Sequence, residues 1–126
     1  GAKPSSQTCG PCMRPEDRDL ALLWDMRKSA RQAHDLVKRI AFERLDEDPV
    51  RKLALERALE VLGEAARRVS AEFQGRNPNI GWRDLVGQRN VLAHDYGKIN
   101  HRRLYDSTRR MVPSLLAELD RILGKE

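Results

Sequence analysis

Two apolar stripes constrain this chain more than any other feature of it. Leu23, Met26, Ala30, Ala33, Val37 and Ile40 recur at steps of 3, 4, 3, 4 and 3, and Leu55, Ala58, Leu62, Ala65 and Val69 at steps of 3, 4, 3 and 4. That rhythm follows the roughly 3.6-residue turn of an α-helix and puts each set on one face. A half-buried strand needs alternation instead, and no segment alternates convincingly. Runs of β-branched residues are scarce and aromatic residues make up only 5% of the chain, which excludes a sandwich or barrel. Each stripe needs another helix to cover it. The pattern therefore predicts an all-α fold, an antiparallel bundle of four to five helices.

Punctuation residues divide the bundle. Pro15, Glu16 and Asp17 mark a helix start, with proline in the first turn and acids against the dipole. The first stripe then implies a helix of about 28 residues. After a break at 46–49, Asp48 is placed as N-cap and Pro49 as first helical residue, and the second helix is expected to reach about Phe73. Gly63 lies inside it at a cost of about 1 kcal/mol relative to Ala, which predicts close packing by a neighbouring helix. Residues 74–79, Gln-Gly-Arg-Asn-Pro-Asn, read as a loop. A third helix is expected from about Ile80 to Asp95, with Gly97 as its left-handed cap. Asn100 is placed to cap a fourth, running to about Leu123 on the stripe Met111, Leu115, Leu119 and Ile122, with Pro113 expected to kink or split it. The small residues Ala30, Ala33, Ala58 and Ala65 suit either a monomer core or a stripe that continues into a dimer interface.

The chain has 126 residues, the size of one domain. Residues 13–126 read as a single helical domain and residues 1–12 as a disordered tail or upstream extension. Cys9-Gly10-Pro11-Cys12 has the spelling of a dithiol redox motif, but no strand precedes it and no βαβ pattern follows. Nor does a second ligand pair exist to complete a zinc site. Lys and Arg number 24 against 19 Asp and Glu, a net charge of +5 that suits a polyanionic partner. No apolar run approaches membrane-spanning length and no signal-peptide pattern occurs, so the expected compartment is the cytoplasm, without membrane association.

One short segment carries chemistry. Arg89-Asn90 is followed by His94 and then Tyr96. RNA cleavage without a metal needs a base for the 2′-OH proton, a cation for the charge developing on phosphorus oxygens, and an acid for the leaving 5′-oxygen. Histidine titrates near neutrality and serves as base or acid. Arginine presents a planar fork that matches phosphate. Arg89 and His94 are thus half of such a set. On a straight helix, residues five apart are turned by about 140° and displaced by about 7.5 Å, so the two do not share a face. Either the helix ends near His94 or a second copy of the chain completes the site. Tyr96, seven residues on, falls within about 20° of the Arg89 face if the helix persists.

This segment resembles the motif of the HEPN superfamily, an Arg followed by four to six residues and a His. More narrowly it is similar to the HepT-like toxins, whose pattern is Arg, four residues, His, any residue, Tyr. Arg89, His94 and Tyr96 fit without a gap, and Asn90 fits the polar residue that follows the Arg. The resemblance extends to residues 56–68, with their Gly63-Glu64-Ala65, and to Trp82-Arg83-Asp84-Leu85-Val86-Gly87. It implies a homodimeric, metal-independent endoribonuclease with no cofactor, catalysed by Arg89 and His94 and supported by Asn90. It also implies a partner, a minimal nucleotidyltransferase antitoxin that adenylylates Tyr96. A charged AMP ester there would pair with Arg89 and obstruct RNA.

Arg83, Lys98, Arg102 and Arg103 are the expected RNA contacts, and the pairs Arg67-Arg68, Arg102-Arg103 and Arg109-Arg110 together could form a track for phosphates. His34 reads as a surface residue, Trp24 and Trp82 as packing residues, and His101, in the first turn of a helix, has no assigned role. Asp84 and Asp95 are two lone carboxylates and do not make a metal site. The alternative function is a non-catalytic helical module that binds nucleotide or RNA, or serves as a partner subunit of a nucleotidyltransferase.

Overall fold

A computed structural model describes residues 15–94, 97 and 99–124. The tail with Cys9 and Cys12, the adenylylation candidate Tyr96, Asp95 and Lys98 lie outside the described residues. Among the described residues six helices follow one another: α1 (Pro15–Val37), α2 (Phe42–Asp46), α3 (Pro49–Arg68), α4 (Ala71–Arg76), α5 (Trp82–His94) and α6 (His101–Leu123). No strand occurs among the described residues, and no helix there is long and apolar enough to cross a membrane.

The two stripes become the core. Leu23, Met26, Ala30, Ala33 and Val37 of α1 are fully buried, as are Leu55 and Leu62 of α3, with Ala58 and Ala65 beside them. α1 is the central helix, packed on α3 and on α6, and α3 in turn carries α5. Contacts between distant residues fix the directions. Asp19 meets Ser70 and Arg51 meets the Leu36 carbonyl, so α1 and α3 are antiparallel. Arg27 meets Asp120 and Ile40 meets Tyr105, so α1 and α6 are antiparallel too.

Two expected helices end early, each because a residue remote in sequence captures the backbone. The first stops at Val37 rather than running on through Ile40. The Ile40 carbonyl accepts a hydrogen bond from the Tyr105 hydroxyl, and the turned chain drops Leu45 of α2 into the core. The second stops at Arg68 rather than Phe73. The buried Asp19 carboxylate accepts from the Ser70 backbone N–H at 2.9 Å and from its hydroxyl at 2.7 Å. Ser70 in turn accepts from Phe73 N–H, so a separate helix starts where a continuation and then a loop were expected.

The caps at Asp48 and Asn100 form as their sequence predicts, each accepting from the N–H three residues on. α5 ends three residues before Gly97, and a positive φ among the described glycines is recorded at Gly124, φ 82°, after α6. Pro113 does not split α6, which is continuous from 101 to 123, because the proline is exposed and the ladder bond it removes lies on the solvent side. Arg27 of α1 is buried, 1% exposed. It donates to Asp120 at 2.9 Å and to the Gly124 carbonyl at 2.7 Å, and its guanidinium lies 4.2 Å from the centre of the half-exposed Trp24 ring.

Candidate functional site

Helix α5 is anchored at its start. Trp82 is buried, its indole N–H donates to the Asn77 carbonyl at 3.0 Å, and its ring meets Phe73 edge-on. Leu85 and Leu92 bury the same side. Opposite, α3 presents Gly63, and only a residue without a side chain fits against Arg89 and the Leu85 carbonyl. The close helix packing that Gly63 predicts is thus found at the first residue of the motif.

Arg89 is held on that packed side. Its side chain is 23% exposed, and its Nε lies 3.2 Å from Glu64 Oε1. The Nε is buried and its N–H is not directed at the carboxylate, so charge rather than a directed hydrogen bond holds this pair. Nη1 donates to Asn90 Oδ1 at 3.2 Å on the exposed side. Glu64 is itself fixed by Arg67, which donates through Nε at 3.1 Å and Nη2 at 2.8 Å. The hydrogen bond from Arg67, with the charges of Arg67, Arg89 and Arg68 behind it, holds the Glu64 carboxyl below its ordinary range, against a smaller opposing effect of burial.

His94 is the last residue of α5 and is exposed, as is Asn90. The helix carries it about 140° around from Arg89, onto the line of Arg83, Gly87 and Val91. The structure therefore does not bring Arg89 and His94 to one face within a single chain. His101, to which the sequence assigned nothing, meets Glu56 of α3 at 2.6 Å. Glu56 and Glu64 are eight residues apart on α3 and hold the chain on either side of His94. His34 is half-buried rather than on the surface. Among the described residues no three His, Cys, Asp or Glu side chains cluster as a metal site.

The exposed side of α5 faces a groove of about 870 Å³ whose other wall is α6. Arg83, Arg102 and Arg103 all line it, so three of the four expected RNA contacts come to one place. Arg110 joins them. Its neighbour Arg109 instead donates to the Tyr105 hydroxyl, and Arg67 serves Glu64, so the three arginine pairs do not form one track. Arg102 is partly engaged by Asp106 at 3.3 Å. Leu92, Ile99, Leu104 and Met111 supply an apolar floor. Sequence reasoning missed Glu64 and Arg110 individually, although the Gly63-Glu64-Ala65 run and the Arg109-Arg110 pair were both visible signals.

The family model of ribonuclease HepT-like proteins matches residues 26–122. A protein of Caldanaerobacter subterraneus subsp. tengcongensis whose name calls it an RNase is 34% identical over 90 residues, which is 71% of this chain and 80% of that protein. One from Methanocaldococcus jannaschii, also named as an RNase, is 32% identical over 100 residues, 79% of this chain and 92% of the other. A Thermococcus cleftensis protein named as a ribonuclease HepT is 28% identical over 100 residues, 79% of this chain and 91% of its own length. No solved structure matches the chain significantly. The match spans α5 with its Arg89 and His94 and most of the bundle around it, and the chain belongs to the HepT-like ribonuclease family of the HEPN superfamily.

Proposed function

We propose that this chain is a toxin that cleaves RNA by attack of a ribose 2′-OH on the adjacent phosphorus, without a metal. His94 takes the 2′-OH proton, the new O–P bond closes a 2′,3′-cyclic phosphate, and the 5′-oxygen leaves with a proton from a second imidazole. Arg89 stabilises the charge on the non-bridging oxygens. The observation that carries this reading is the presence of a phosphate-matching cation and an exposed imidazole on α5, inside the region matched by a ribonuclease family.

Arg89 and His94 diverge by about 140° on α5, which ends at His94, and in this reading a two-fold dimer completes the site. Two copies of α5 then supply two Arg89 and two His94 to one cleft, one imidazole as base and the other as acid. Val91, 44% exposed, lies with Arg83 on the groove side of α5, the side open to RNA. Arg83, Arg102 and Arg103, with Lys98, contact RNA phosphates outside the cleft. Silencing by a nucleotidyltransferase that adenylylates Tyr96 belongs to the same reading and rests on the resemblance of the motif.

The test is cleavage of total RNA in excess EDTA by the wild type and by His94→Ala. Discrete fragments with cyclic-phosphate ends from the wild type alone are expected. Equal cleavage by both removes His94 from the reaction. Cleavage by neither, with Tyr96 unmodified by intact mass, favours the non-catalytic binding module. An active strict monomer by sedimentation contradicts the composite site.

A further inference from the structure

We infer that Glu64 is a positioning residue for Arg89: it fixes the guanidinium from its buried Nε edge and leaves the Nη end for the RNA phosphate. The inference rests on the ribonuclease reading above. A guanidinium has two usable sides, and a bidentate grip on phosphate uses one of them. In this chain the Nε side is buried and faces Glu64 Oε1 at 3.2 Å, while Nη1 reaches the exposed Asn90. The stem is fixed as well, because the Arg89 Cβ rests against the bare backbone of Gly63. A long side chain that ordinarily samples many rotamers is thus held at its root and its neck.

Glu64 is suited to that role because it is itself oriented. Arg67 donates to both carboxylate oxygens, which favours the orientation of Glu64 that faces Arg89. The three side chains Arg67, Glu64 and Arg89 sum to one positive charge, two cations against one anion, so the group remains attractive to phosphate. A lone Glu64–Arg89 pair would be neutral. Arg67 therefore supplies both the anchor for the carboxylate and the charge that the pairing would otherwise cancel.

The experiment compares steady-state cleavage of a short RNA by wild type, Glu64→Gln, Arg89→Ala and the double variant, with thermal unfolding as a control on folding. Glu64→Gln keeps shape and removes charge. It is expected to lower kcat by about 10- to 100-fold, the scale of a small misplacement of a reacting group, with KM within about 2-fold. In the Arg89→Ala background it is expected to change nothing further, since the residue it positions is gone. Unchanged kcat in Glu64→Gln, or an equal further loss in the Arg89→Ala background, overturns the proposal.

A second readout does not depend on cleavage. The Nε–H resonance of Arg89, assigned by its absence in Arg89→Ala, is expected to exchange slowly with water in the wild type. In Glu64→Gln it should exchange at least about 10-fold faster, the factor that 1.4 kcal/mol of lost protection would give. Equal exchange in the two proteins overturns the positioning role. If the wild type cleaves no RNA, the ribonuclease reading falls, and the resonance alone decides whether Glu64 holds Arg89.

Discussion

A β-carbon on Gly63 would lie 2.3 Å from the β-carbon of Arg89, and 2.5 Å from the Leu85 carbonyl oxygen. Neither neighbour is the far end of a flexible side chain, so α5 as a whole would have to shift. Gly63→Ala gains about 1 kcal/mol of helix propensity, against about 1–3 kcal/mol for forced repacking. A net loss of up to about 2 kcal/mol in urea unfolding is expected. Cleavage should fall further than stability accounts for, because the displaced residue is Arg89. Gly63→Ala with wild-type stability and activity contradicts the tight seam.

The acid behaviour of the Glu64–Arg89 pair follows from the sign of its shift. The carboxyl of Glu64 titrates below its ordinary range, chiefly through the Arg67 hydrogen bond. A group with a depressed folded pKa contributes stability above its unfolded pKa and loses it as pH falls through the folded one. The pair should therefore persist from neutrality down to about pH 4.3, the usual glutamate value, and dissolve only below it. The difference in stability between wild type and Glu64→Gln, measured against pH, should be flat above that value. A difference that disappears between pH 7 and 5 contradicts this assignment.

Arg27 fastens the end of α6 to α1. Removing one member of a buried ion pair costs about 3–5 kcal/mol, and the lower end applies here because Asp120 is 26% exposed and has Arg31 at 3.5 Å. Arg27→Ala should destabilise by about 3 kcal/mol in denaturant and free the C-terminal turn of α6 for proteolysis. Arg27→Met, which refills the space, should cost less. Equal losses would mean that charge, not packing, dominates.

RNA affinity tests the groove. Arg83→Ala and Arg103→Ala change exposed residues, so stability should stay within about 0.5 kcal/mol. Each should weaken binding of a 2′-O-methyl RNA and reduce the slope of log affinity against log salt by about 1. Arg121→Ala is the control, an exposed arginine paired with Glu118 outside the groove. If the control loses as much as the groove variants, the effect is one of net charge.

Much of the bundle was legible because its signals are local. The 3–4 stripes of α1 and α3, the caps at Asp48 and Asn100, and the glycine at 63 each act within a few residues of themselves. The early ends of the first two helices were not legible, since Asp19 and Ser70 are 51 positions apart, and Ile40 and Tyr105 are 65 apart. The candidate site divides the same way. Arg89 and His94 stand out by spacing, and their divergence follows from helix geometry. Glu64 and Arg110 matter only once α3 and α6 have been set against α5, and no period in the sequence encodes that.

Helix α5, which carries Arg89 and His94, has α3 as its principal support and meets α6 only across the groove. Such a helix can come away while α1 keeps its packing on α3 and α6. Backbone amides in the middle of α5 should then exchange hydrogen at a free energy below that of global unfolding, and those of α1 should report the global value. Whatever seats itself on the open side of α5 would raise that lower threshold, so occupancy of the motif helix becomes readable as hydrogen-exchange protection before any chemistry is measured.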